Sequence, residues 1–237
     1  MTPWATTSLL GSCAAAIMAL VFVTVEAQHA HAGCTDYPGP GIDWSKCRKR
    51  NVILSDIDLS ESNLEKTDFI GSDLRNTNLA GANMVKARIN RANLSGANLR
   101  GANLNRAEGT RLIMRQANAS AADLEKAEMF RSDLSGSDLS NANLSKTELS
   151  RANLAGANLK GAMMSFANLA RVTFTDAVLD RTDLANSWTY RADFEGVDLS
   201  AVANLEQRQL DLACGDDQTV LPEGFSRPAA WPCADDD

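Results

Sequence analysis

The sequence predicts an all-β solenoid, a narrow coil whose wall turns a corner every five residues. Three observations point to it. A large apolar residue returns at every fifth position over some 150 residues, a small residue precedes it by two, and glycine or asparagine recurs two places after it. Neither the two-residue period of an ordinary strand nor the 3.6-residue period of a helix produces that spacing. Aromatic residues make up only 5% of the chain, fewer than a globular core of this size normally uses. Self-similarity therefore has to be followed first.

Stepping by five from Leu54 gives Leu59, Leu64, Phe69, Leu74, Leu79, Met84, Ile89, Leu94, Leu99 and Leu104. The frame weakens over 107–124, where Gly109 and Ala119 stand at two centres, and then resumes through Leu134, Leu154, Phe174 and Phe194 to Leu199. The phase never slips, so the run from Leu54 to Leu199 comprises 30 pentads. Small side chains such as Ala82, Ala92, Ala97 and Ala152 sit two residues before their centres, and Asn or Asp commonly sits one before. Two inward positions per five, one large and one small, suit a wall that bends at each pentad. In the weak coil, large Leu112 occupies a normally small position and is expected to turn inward, refilling part of the space left by Gly109.

Gly81, Gly96, Gly101, Gly136, Asn141, Gly156 and Gly161 fall two places after their centres. Glycine and asparagine accept the positive φ that a type II turn demands there. With "ANLSG", "ANLRG", "ADLEK" and "ANLAG", the chain resembles the pentapeptide-repeat family, whose signature is A-(D/N)-L-x-x, over residues 52–200. The resemblance implies a right-handed quadrilateral β-helix with four pentads per coil. Thirty pentads then make seven and a half coils, a column ~36 Å tall at the usual strand spacing.

A stacked column exposes apolar centres at both ends and needs caps. Residues 33–51 are expected to form an N-terminal disulfide cap that places Trp44 over the first coil. Residues 201–237 are expected to form a C-terminal cap: a short helix carrying Leu205, Leu210 and Leu212 and stopped by Gly215, a disulfide loop with Leu221, Phe225 and Trp231, and an acidic tail, Asp235 to Asp237. Both caps resemble the flanks of exported members of the family. The first 32 residues have the layout of a signal peptide, with an apolar run from Leu9 to Val25 and Ala30-His31-Ala32 at the cleavage point. The alternative is an N-terminal membrane anchor, although the run is shorter than the usual ~20 residues. After cleavage four cysteines remain, in two close pairs that flank the repeat. Three connectivities are open; the expected disulfides are Cys34 to Cys47 and Cys214 to Cys233, because each closes a cap local in sequence. The protein is thus expected to be periplasmic or secreted.

Both histidines, His29 and His31, fall in the predicted leader, so the mature chain has no Ser-His or Cys-His nucleophile. Phosphate-loop and dinucleotide-binding patterns are absent. A hydrolase would need two converging carboxylates in a cleft, and a convex column offers none. No cofactor and no metal are expected, and an enzyme is the least favoured reading.

The resemblance brings a second reading, since gyrase-protecting members of the family present an acidic rod resembling DNA. The net charge of −7 invites it, but the charge is uneven. Residues 51–200 hold 19 acids and 17 bases, whereas residues 201–237 hold 8 acids and 2 bases. A nearly neutral column and an exported chain argue against a DNA mimic, and no nucleic acid is expected as a partner.

Residues 20 apart should stack, which places Arg91, Arg111, Arg131, Arg151, Arg171 and Arg191 in one row. Lys66, Lys86, Arg106, Lys126 and Lys146 make a second row one pentad earlier. Asp68, Glu108, Glu128 and Glu148 lie between the rows and are expected to pair with them. Arg88 interrupts that acidic column, and residues 86–115 hold seven bases against Glu108 alone, a local excess of +6. Phe166, Trp188 and Tyr190 are expected to point outward on the same side, near the upper arginines. The sequence reads as an exported binding or structural module, a monomer or weak homodimer, whose basic rows and aromatic residues meet an anionic partner or protein.

Overall fold

A computed structural model describes residues 33–233; the predicted signal peptide and the three terminal aspartates lie outside them. The chain winds as a right-handed, four-sided β-helix. Parallel bridges join outward residues to those 20 positions later, from Asp43 with Asn63 to Asp183 with Ala203, with Val178 the exception. One coil is therefore four pentads.

Each pentad repeats the same local events. The centre donates its N–H to a carbonyl one coil on, as Leu94 does to Ile113 at 2.6 Å. The small residue then closes a four-residue turn onto the preceding centre, as Ala97 does to Leu94 at 3.0 Å. The third turn residue has positive φ at every fifth position from Gly41 to Gly196, which with that bond defines a type II turn.

Centres and small residues together fill the interior. Leu59 to Leu104 are fully buried at every centre, and each such side chain contributes ~1.5–3 kcal/mol. Where the small residue is Ser or Thr, its hydroxyl finds a carbonyl: in the coil before for Thr67 to Trp44 at 2.6 Å, Thr77 to Leu54 at 2.9 Å and Thr182 to Leu159 at 2.8 Å, and in its own turn for Ser137 to Leu134 and Thr147 to Leu144, both at 2.7 Å. In the weak coil Leu112 is fully buried and reaches the space beside Gly109, as expected.

The four corners have different characters. The lysine corner stacks residues 46, 66, 86, 106, 126 and 146; the arginine corner follows it with 91, 111, 131, 151, 171 and 191. Next comes an aspartate corner, with Asp56 and Asp176, and then a glycine corner, with Gly81, Gly101 and Gly161. The side between the lysine and arginine corners is called the basic side below.

The pentad frame begins before residue 52. Gly41 and Lys46 already have turn geometry, and Trp44 is buried at a centre of its own. Lys49 holds the next centre, its Nζ 3.5 Å from the centroid of the Trp44 ring. Burial pulls the Lys49 pKa down, against an opposing pull from Asp36. Cys34 and Cys47 are joined, with Cα atoms 5.4 Å apart.

At the other end the bridge offset grows to 21 at Asp193 with Cys214 and 22 at Asp198 with Val220. In that last coil α1, Gln207–Leu212, takes the place of regular pentads and stacks on the coil before it, Arg191 N–H donating to the Leu212 carbonyl. Buried Gln209 closes it: its Nε2 donates to the carbonyls of Leu184 at 2.8 Å and Ser187 at 3.1 Å, and to Ser187 Oγ at 2.9 Å. Thr189, a polar residue at a centre, donates to the Gln209 carbonyl at 2.7 Å. Gly215 does not end α1 as the sequence suggested. The helix stops at Leu212, and Gly215 instead makes room for Trp231, whose Cζ3 is 2.4 Å from where a Cβ would stand. Trp231 Nε1 donates to the Ala213 carbonyl at 2.8 Å, and Cys214 is joined to Cys233, again with Cα atoms 5.4 Å apart.

Candidate interaction surface

Stacking brings both basic rows to the edges of one side, about 4.8 Å apart from coil to coil. Arg91, Arg106, Arg111, Arg131 and Arg151 are exposed, as are Lys66, Lys86, Lys126 and Lys146. Arg171 and Arg191 are half-buried. Among the described residues, the side chains of Arg91, Arg106, Arg111 and Arg151 make no hydrogen bond or ion pair; Arg131 lies over the Phe130 ring, 5.0 Å from its centroid.

The acids between the rows do not pair with them as expected. Asp68 binds Arg50 at 2.6 Å and Arg88 at 2.9 Å, and Glu108 binds Arg88 at 3.2 Å. Arg88 is thus a cross-link between the acids above and below it. Glu148 accepts from Ser150 and from Asn168 Nδ2. The lysine row finds its acids within its own corner instead. Lys66 meets Glu65 at 2.7 Å, and Lys126 and Lys146 meet Glu125 at 3.0 and 3.4 Å. Hydrogen bonds and charge from those lysines hold both carboxyls below the usual range. The signal for this was the glutamate directly before Lys66 and before Lys126, which the coil turns onto the same corner; Lys146 reaches Glu125 from the next coil.

The seven bases of 86–115 do not make one patch. Arg88 is spent on its neighbours, Arg115 pairs with Asp133 at 2.5 Å beside the aspartate corner, and Arg100 belongs to the glycine corner. Lys86, Arg91, Arg106 and Arg111 remain on the basic side. Over residues 51–200, that side and its two corners carry twelve bases and six acids. The rest of the column carries five bases and thirteen acids.

Phe166, Trp188 and Tyr190 all lie on this side and are 59%, 52% and 42% exposed, so they are not packed away beneath the cap. The Trp188 and Tyr190 rings run nearly parallel, with centroids 6.3 Å apart and planes at 17°. A shallow hollow beside Trp188 is walled by Asn186, Arg208 and Leu212. Among the described residues, no group of His, Cys, Asp and Glu could hold a metal ion, and no helix is long and apolar enough to cross a membrane.

A family model for pentapeptide repeats matches in eight copies, across residues 53–91, 87–125, 127–165, 137–176 and 164–200. Among solved structures, the chain is similar to HetL, a pentapeptide repeat protein involved in heterocyst differentiation regulation from the cyanobacterium Nostoc sp. strain PCC 7120. That likeness has 24% identity and a TM-score of 0.43, over 79% of this chain and 86% of that one. It is also similar to a pentapeptide repeat protein from the Arabidopsis thaliana thylakoid lumen, 31% identical over 51% of this chain and 76% of that one, with a TM-score of 0.31. A third likeness is to QnrB1, a plasmid-mediated fluoroquinolone resistance protein, at 16% identity and a TM-score of 0.36 over 78% and 91% of the two chains. No curated protein matches the sequence. The structural likenesses are too loose to carry a role across, but the repeat model spans more than half of the sequence: the chain belongs to the pentapeptide-repeat family.

Proposed function

We propose that the protein is an exported, non-enzymatic binding module that meets an anionic partner through its basic side. The observation that supports this is where the chain accepts left-handed backbone. Every corner requires positive φ, the conformation glycine adopts without penalty. From Gly41 to Gly196 the glycine and aspartate corners use glycine at eight positions, whereas the lysine and arginine corners use it once, at Gly71. In its place stand long basic side chains, including six consecutive arginines from Arg91 to Arg191, each held at φ of 53 to 60°. A conformationally costly choice made at nearly every level of this side, against about half the levels elsewhere, fits a requirement for charge there.

The disulfides suit an oxidising compartment. Tying the four cysteines among the described residues also removes their thiols as nucleophiles, which supports the non-enzymatic reading. The acidic remainder of the column supports a DNA-like rod less well. Its net −8 is spread over a column ~36 Å tall, whereas duplex DNA carries one charge per ~1.7 Å of its axis. The test is to reverse Arg91, Arg111 and Arg131 to Glu and measure retention on an immobilised polyanion such as heparin or polyphosphate. The wild type should be retained and released by salt, and the triple variant should pass through while its melting curve is kept. Salt-independent passage of the wild type defeats the reading.

A further inference from the structure

The coil separates charge more sharply than the column's near-neutral total suggests. Over residues 51–200 the aspartate corner and the two sides that meet there hold nine acids and only two bases, Arg75 and Arg115. Both bases are already occupied, by Asp73 at 2.6 Å and Asp133 at 2.5 Å. The glycine corner and its remaining side come close to balance, with four acids and three bases. One molecule therefore carries a surface of net +6 and, beginning just past the arginine corner, a surface of net −7.

We propose that these two surfaces bind one another between copies: the basic side of one column docks against the aspartate corner of a second copy. This rests on the reading of the basic side as a contact surface, and it names the partner. Charge complementarity is the first argument. Residues 51–200 carry only −2 and most of the remaining negative charge sits in the C-terminal cap, so columns side by side meet little net repulsion while opposite surfaces attract.

The second argument is spacing. Two copies share one rise per coil, so a contact made at one level recurs at the next, which a partner of another period cannot match over six rungs. Asp73, Asp133 and Asp193 recur every third coil, the first two already holding Arg75 and Arg115, whereas the arginine corner is filled at every coil from Arg91 to Arg191. Any shift by a whole coil still brings an aspartate opposite an arginine. The two surfaces are also different patches, so the contact is heterologous. Each docked copy keeps a basic side or an acidic corner unused, and association continues beyond a pair into side-by-side arrays.

Sedimentation velocity of the mature chain tests this, with two variants: Arg91→Glu/Arg111→Glu/Arg131→Glu, and Asp56→Lys/Asp176→Lys/Glu195→Lys. The wild type should show at least a twofold rise in weight-average mass with concentration at low salt. It should return to a single column in molar salt, where screening acts over about 3 Å. Each variant alone should stay a single column, and mixing the two should restore pairing, because the acidic corner that the first variant keeps then meets the basic side that the second keeps. A wild type that remains a single column at low salt overturns the proposal, as does either variant associating like the wild type. If that single column is still retained on heparin or polyphosphate, the basic side binds another anion and only the self-docking falls. If it is retained on neither, the contact-surface reading falls with it.

Discussion

Leu112 occupies the room that Gly109 leaves: its Cδ2 lies 3.4 Å from where a Cβ on Gly109 would stand. A centre and its neighbouring small position have exchanged sizes, and the wall keeps its course. Leu112→Ala should therefore leave a real cavity and cost ~2–5 kcal/mol in denaturant unfolding. Gly109 lacks the positive φ of the corner glycines, and a methyl there would meet only ordinary contacts. Gly109→Ala should stabilise by ~0.4–1 kcal/mol through the unfolded chain. A Leu112→Ala loss under ~0.5 kcal/mol would be that of a surface change and would put Leu112 outside the core.

This exchange was legible in the sequence because the pentad frame assigns every residue to inside, outside or turn, and Leu112 breaks the size rule beside a second break. Other features were hidden for identifiable reasons. The frame's first centres are masked in the sequence because Trp44 and Lys49 are not the aliphatic residues that mark a centre, although Lys49 still turns inward over the indole. Gly215 followed a helical stretch and resembled a helix stop; only the tertiary approach of Trp231 explains it. The segregation of charge was masked by order along the chain. Four surfaces are interleaved every 20 residues, so a linear count averages a basic side with an acidic corner.

The closing helix makes its own prediction. Gln209 joins α1 to the last coil through one buried amide, which also accepts the Glu206 N–H at 2.8 Å. Gln209→Leu would leave the Leu184 and Ser187 carbonyls buried without that donor, a penalty of about 1–3 kcal/mol. Hydrogen exchange should show the loss first in the upper coil, around residues 184–190, with the lower column unchanged. Uniform loosening of the whole column would mean the helix is no local cap.

Acid should destabilise the column. Donation from the Ser60 backbone and hydroxyl lowers the Asp58 pKa, the Arg75 guanidinium lowers that of Asp73, and Ser200 lowers that of Asp198. Groups depressed in the folded state contribute stability that is complete above their unfolded pKa, about 3.9 for Asp. That stability is lost as pH falls through the lower folded values. Melting temperature should hold level from neutrality to about pH 5 and fall below about pH 4. A rise on acidification would show instead that repulsion among the acids of the aspartate corner dominates.

The arginine corner separates stability from contact in a single experiment. Arg91, Arg111 and Arg131 stand at φ of 56 to 57°, where an L side chain is strained and glycine is not. Arg91→Gly, Arg111→Gly and Arg131→Gly should each leave stability unchanged or raise it by up to ~1 kcal/mol, because relief of the left-handed backbone opposes the greater freedom glycine gives the unfolded chain. The reverse change on the glycine corner, Gly101→Arg, meets open space but the same strain, and it should lower stability by about 1 kcal/mol. The triple glycine variant should still lose its low-salt association and its retention on polyanions. If each arginine replaced costs more than about 1 kcal/mol, the aliphatic stems are holding the wall together. The corner would then owe its arginines to packing, and the preference for charge over glycine on that side would no longer support a contact surface.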